Sequence, residues 1–165
     1  MRNIVLVACV FRLLAAGVLA QNQHDQHIKM IKARSELYNT SYNSRDSLTF
    51  FSLFDSSAVV VSLGGKWIGL EKCKYLCRSL YVKRPDIKMH LESSKIEVND
   101  QWPAAYETGD WSESWTEAGD SAKSEIKGKY WIMWFLKDDN YYILSAILTP
   151  LSCTGSYCDK SSGRR

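Results

Sequence analysis

The sequence predicts an α+β domain whose helices are gathered ahead of four long antiparallel strands. Three observations carry this. Apolar residues recur at helical spacing in two stretches before Pro85, four stretches after Pro85 have strand texture, and Asp138-Asp139-Asn140 makes a tight turn between two strongly apolar strands. At 165 residues, 45% hydrophobic and 24% charged, the chain can bury one sizeable core.

The chain opens on a positive Arg2, apolar runs from Ile4 to Phe11 and from Leu13 to Leu19, and a small-residue end, Val18-Leu19-Ala20. This is the pattern of a signal peptide over residues 1–20, cleaved after Ala20. Arg12 splits the apolar run, leaving it short for roughly 30 Å of hydrocarbon, so a membrane anchor is the poorer reading. A secreted, extracellular protein is expected, with no membrane association after cleavage. Without Arg2 and Arg12, 19 basic residues face 18 acidic ones, and the net charge falls from +3 to +1. No long basic run exists, so nucleic acid is not an expected partner.

Residues 21–27 are polar and read as a flexible start. From His27 to Tyr42, positions Ile28, Ile31, Ser35, Tyr38 and Tyr42 form the stripe of a first helix. It contains the sequon Asn39-Thr40-Ser41, a glycosylation site if Asn39 faces water. Asn43 to Asp46 breaks the helix, and Asp46 or Ser47 is placed to cap a second, short helix through Phe54. Capping is a simpler task for Asp46 than catalysis. Asp55-Ser56-Ser57 reads as the end of that helix. Ala58 to Ser62 is a β-branched strand, Gly64-Gly65 a hairpin turn, and Lys66-Trp67-Ile68 the returning strand. Leu70 to Val82 places Leu70, Cys73, Cys77 and Leu80 on one face of a third helix that stops ahead of Pro85.

The four strands follow at Ile87 to Asn99, Ala104 to Glu117, Glu125 to Lys137 and Tyr141 to Leu151. Within the third, Tyr130, Ile132, Trp134 and Leu136 fill one face, while Trp131, Met133 and Phe135 fill the other. Residues 152–165 form a cysteine-containing tail, and Ser161 to Arg165 carries no core-forming residue. Cys9 leaves with the signal peptide, so Cys73, Cys77, Cys153 and Cys158 remain for an oxidising compartment, and two disulfides are expected. A bridge between helix positions four apart is awkward, which favours Cys73 and Cys77 pairing with Cys153 and Cys158. The Cys-x3-Cys and Cys-x4-Cys spacings are loose matches to a zinc site, and neither metal nor cofactor is expected. His24, Asp25 and His27 sit too near the start of the mature chain to make one.

Several segments in order resemble the nuclear-transport-factor-2-like superfamily, in its SnoaL-like, ketosteroid-isomerase-like branch. They are Tyr42-Asn43-Ser44-Arg45-Asp46, Phe54-Asp55-Ser56-Ser57-Ala58-Val59-Val60 and Gly64-Gly65-Lys66-Trp67-Ile68-Gly69. Tyr106-Glu107-Thr108-Gly109-Asp110-Trp111 and Gly128-Lys129-Tyr130-Trp131-Ile132-Met133-Trp134 complete the set. The match runs from about Ile28 to Leu151, a SnoaL-like domain over residues 28–151. The resemblance implies a cone-shaped, curved antiparallel sheet wrapped around three N-terminal helices, the cystatin-like type of fold, with a pocket at its wide end. It also implies a homodimer, as does the second aromatic face of the third long strand, which needs a cover.

Ketosteroid isomerase sets a carboxylate base opposite a tyrosine and a protonated acid in an apolar site. The resemblance puts Val61 and Ser62 where that enzyme carries acids, and a hydroxyl does not replace the base. His90 is the catalytic candidate, as the one histidine inside the folded region, although its alternating run also gives it a solvent face with Lys88 and Glu92. Glu107, Asp110, Glu113 and Glu117 read as the acids of a wet sheet face. Tyr38, Tyr42, Trp67, Trp111, Trp115, Tyr130 and Trp134 fall on elements the fold brings together, and are expected to line one apolar pocket. The expected function is therefore a secreted binder of a small hydrophobic or aromatic ligand without turnover. The alternatives are an isomerase, dehydratase or cyclase using His90 with Tyr38, Tyr42 or Tyr130, and an extracellular structural or interaction protein with no ligand.

Overall fold

A computed structural model describes the backbone of residues 2–99 and 101–162, and side chains over residues 21–99 and 101–159. Helix α1 (Arg2–Ser44) is followed by α2 (Ser47–Ser52), β1 (Phe54–Ser62), β2 (Gly65–Ile68) and α3 (Leu70–Lys83). Then come β3 (Lys88–Val98), β4 (Ala104–Thr116), β5 (Lys123–Lys137), β6 (Asn140–Thr154) and a terminal helix α4 (Ser156–Ser162). Residues 2–20, the expected signal peptide, continue the backbone of α1, and their side chains lie outside the described residues. Residues 21–27 are helical as well. Among the described residues no helix is long and apolar enough to cross a membrane.

The six strands form one sheet in the order β2-β1-β6-β5-β4-β3. The sheet is mixed rather than purely antiparallel, because β1 pairs parallel with β6 while the other pairs are antiparallel. β1 also starts at Phe54, so Asp55-Ser56-Ser57 belong to a strand and not to a helix end. Its register against β6 slips between Phe54 and Val59, which leaves this polar stretch irregularly paired and without strand-like alternation in sequence. Helix α2 is capped by Asp46, whose Oδ1 accepts the Thr49 amide at 3.1 Å.

Bulges bend the long strands. Ser94 is unpaired where Ser93 faces Gly109, and Leu151 is skipped where Lys127 gives way to Gly128. A Cβ on Gly109 would stand 2.0 Å from the Glu92 carbonyl oxygen, and one on Gly128 2.0 Å from that of Thr149, so only glycine permits these close approaches. The core fills the concave side of the bent sheet under α1, α2 and α3, around Ile31, Leu53, Trp115, Trp134, Tyr141 and Ile143.

Helix α1 is stitched to the edge strand β3 by two asparagines one turn apart. Asn39 accepts the Leu91 amide at 2.8 Å and donates to its carbonyl at 2.9 Å; Asn43 does the same at Met89, at 3.0 and 2.7 Å. Two residues of strand advance about as far as four of helix, so the amides match the open edge of the sheet.

The expected disulfide pairing is corrected. Cys153 bonds to Cys158 across the β6–α4 turn, with Cα atoms 5.7 Å apart, while Cys73 and Cys77 are buried free thiols. The reason is direction: the cysteine face of α3 points into the core, whereas Cys153 is exposed at the far end of β6. That end also runs past Leu151, where the sequence suggests the strand stops, to Thr154.

Candidate functional site

A cavity of about 470 Å³ opens between the concave sheet and the helices. Helix α1 contributes Tyr38 and Tyr42, and α2 contributes Phe50 and Phe51. From α3 come Cys73, Cys77 and Leu80, ending on Arg84; β2 adds Trp67, the long strands add Met89, Trp111 and Glu113, and α4 adds Tyr157.

The rings pack tightly on the helix side. Tyr38 and Tyr42 lie parallel with centroids 6.4 Å apart, and Phe50 meets both edge-on at 4.9 and 5.4 Å. Tyr38 donates its hydroxyl to Met89 Sδ at 3.4 Å, and Tyr81 donates to the Tyr42 carbonyl at 2.8 Å. Burial pushes the Tyr38 and Tyr42 phenols above their ordinary range, so both stay protonated at neutral pH. The Cys77 thiol is likewise pushed up, to about 11, and Cys73 is raised by the same cause. These sulfurs are apolar wall, not nucleophiles.

The polar end is built on Glu113 and Arg84. Glu113 is buried on β4, accepts the Tyr42 hydroxyl at 3.4 Å, and has Arg84 Nη1 3.8 Å from Oε2. Burial raises its pKa, and this outweighs the lowering by Arg84 and by the Tyr42 hydrogen bond. The Arg84 guanidinium lies 3.7 Å from the Trp115 ring centroid and 4.8 Å from that of Tyr157. Its Nε is 3.8 Å from Glu117, whose carboxylate accepts the Trp115 indole N–H at 2.5 Å. An apolar chamber thus ends in a carboxyl able to hold or release a proton, a phenol donor and a clamped cation.

The expected pocket residues divide. Tyr38, Tyr42, Trp67 and Trp111 line the cavity. Trp115 lies fully buried against Arg84 instead, and Tyr130 and Trp134 point to a different group. That group is Glu107, fully buried, which accepts Ser35 at 2.5 Å, Trp134 at 2.8 Å and Tyr130 at 2.9 Å. His90 is exposed between exposed Lys88 and Glu92, on a shallow groove with Lys32, Glu36 and Asn39, and does not reach the aromatic cavity. Asn39 is half-buried, with its amide engaged by Leu91. Of the positions aligned with the isomerase acids, Ser62 lines the cavity wall.

The reading of β4 as a wet face is corrected for Glu107 and Glu113. On that strand residues 105, 107, 109, 111, 113 and 115 are all buried, while Asp110 is exposed. Period-two spacing sets both glutamates on the face of Trp111 and Trp115, and that parity was the available signal. Arg84 carried no comparable signal, since its role depends on Trp115 and Tyr157, far away in sequence.

No protein-family model and no curated protein sequence matches the chain. Solved structures do. A scytalone dehydratase-like protein from Novosphingobium aromaticivorans superimposes with a TM-score of 0.73 at 11% identity, over 82% of this chain and 91% of that one. A ketosteroid isomerase-like protein from Erwinia carotovora atroseptica gives 0.65 at 12% identity, covering 75% and 95%. A nuclear transport factor 2-like superfamily protein from Salmonella enterica gives 0.65 at 15% identity, covering 77% and 92%. At these identities the likeness is one of fold.

Proposed function

We propose that this chain, which has the nuclear-transport-factor-2-like fold, binds one small, mainly apolar molecule in its aromatic cavity. The observation that supports this reading is the open volume itself. About 470 Å³ is walled largely by Tyr, Phe and Trp rings, with Glu113 and Arg84 among the polar groups of its lining, within the roughly 300–1,000 Å³ of small-molecule pockets. A wall of rings favours a flat or hydrophobic guest, and the Glu113 end favours one polar substituent. With residues 1–20 read as a signal peptide, the binder works outside the cell, and the outer face of the sheet is the seat of a second copy. Glycosylation at Asn39 fits this setting only if the side chain leaves Leu91.

Titration with the neutral fluorophore N-phenyl-1-naphthylamine tests the reading. Saturable one-to-one binding is expected, and Leu80→Trp, which fills the cavity, should weaken it about tenfold or more. No binding, or binding indifferent to Leu80→Trp, contradicts it.

A second reading, proton-transfer catalysis of the isomerase, dehydratase or cyclase type, is favoured by one observation. Glu113 and the Tyr42 hydroxyl meet at 3.4 Å inside the cavity, the pairing of acid and phenol such chemistry uses. It replaces the version built on His90.

A further inference from the structure

We propose that the guest is itself an acid: a carboxylate on an apolar body of about the size of a fused ring pair, received by Arg84 while Glu113 carries a proton. This rests on the cavity reading and goes beyond it by naming the chemical class of ligand.

Arg84 motivates the assignment. Its side chain is only 15% exposed, it forms part of the cavity wall, and its nearest carboxylate oxygens are both 3.8 Å away, beyond hydrogen-bonding distance. Among the described residues its guanidinium donates no hydrogen bond. Such a fork of N–H donors, held in the cavity wall without a protein acceptor, is open to an acceptor that enters the cavity. Trp115 and Tyr157 hold it by ring contacts. Stacking of this kind fixes the plane of the fork and leaves its edge to meet a carboxylate in two parallel hydrogen bonds.

Charge sets the protonation state of the complex. Glu117, held by Trp115, balances Arg84 from outside the cavity lining. A guest carboxylate beside an ionised Glu113 would place two anions side by side, whereas a protonated Glu113 donates its O–H to the guest and keeps the Tyr42 hydroxyl as a neighbour. Binding from solution at a pH where Glu113 is ionised therefore consumes one proton: guest carboxylate plus Glu113 carboxylate plus a proton give guest carboxylate and a Glu113 carboxylic acid. The other titratable groups near Glu113 are Tyr38 and Tyr42 from α1, Cys77, Lys83 and Arg84 from α3 and its end, Glu117 beyond β4, and Tyr157 from α4. The lining includes no histidine. Burial keeps Cys77, Tyr38 and Tyr42 protonated, so the linked proton belongs to Glu113.

Calorimetric titration with three probes of one shape tests this: 2-naphthoate, the neutral 2-naphthalenemethanol and the cationic 2-naphthylmethylamine. The acid should bind about tenfold or more tighter than the alcohol, and the amine weakest. Comparing buffers of different ionisation enthalpy at rising pH, proton uptake with naphthoate should rise from none, while Glu113 is protonated in the free protein, towards one, once it is ionised there. Arg84→Gln should abolish the preference for acid while the alcohol still binds. Glu113→Gln, a neutral stand-in for the protonated acid, should keep the preference and lose the proton uptake, and it carries the test if Arg84→Gln does not fold. Equal binding of acid and alcohol, or preference for the amine, overturns the proposal and leaves the cavity reading standing. Failure of all three probes to bind overturns both.

Discussion

Two glutamates six residues apart on β4 show how surroundings divide the work of one side-chain type. Glu107 is sealed in and accepts from Ser35, Tyr130 and Trp134, so its oxygens are satisfied by fixed donors. Glu107→Gln puts an NH2 group where these donors point, and should cost about 1–3 kcal/mol in urea unfolding. Glu113 instead faces a cavity, and burial raises its pKa. A carboxyl of this kind adds stability that is fully present below its unfolded value and is lost as pH rises through the folded one. Melting temperatures of wild type minus those of Glu113→Gln should therefore fall as pH climbs above about 4.3 and level off once Glu113 is ionised. A flat difference contradicts the raised pKa. Both inward positions were legible from their parity with Trp111 and Trp115. What each glutamate meets was not, because its partners come from α1, α3 and β5.

Among the elements, the seam between α1 and β3 follows from two amides. Asn39 and Asn43 each make two hydrogen bonds to an otherwise open strand edge. Asn43→Ala should cost roughly 1–3 kcal/mol in chemical denaturation, and the double variant with Asn39→Ala should cost more than the sum of the singles if the seam opens as a unit. Helix α3, the four long strands and their turn were readable because their apolar periods are regular. Three features were not. The polar start of β1 is irregularly paired, its parallel union with β6 depends on residues almost a whole domain away, and α4 is a short polar segment held from outside. The Ser124 hydroxyl accepts the Tyr157 amide at 3.1 Å, and Ser156 hydrogen-bonds Asp120. The disulfide followed the same logic: spacing raised the question of partners, and only the direction of the α3 face answered it.

At the scale of the molecule, a bent sheet leaves one face for the cavity and another for water. On β5, Trp131, Met133 and Phe135 are half-buried on the side opposite Tyr130, Ile132 and Trp134, with Tyr106 stacked on Trp131 at 5.6 Å and Ile147 41% exposed alongside. An apolar band of this kind is the expected seat of a second copy. Light scattering should give twice the chain mass, and Trp131→Glu should return it to the monomer; a wild-type protein at monomer mass contradicts the dimer. The concave face carries the central claim, that helices and sheet enclose room for a guest. The most direct measurement is a crystal soaked in 1-bromonaphthalene and examined for anomalous bromine scattering. A single bromine peak between Tyr42, Trp67 and Leu148 is the predicted result, and a cavity without bromine, its volume closed by the chain's own side chains, would contradict it.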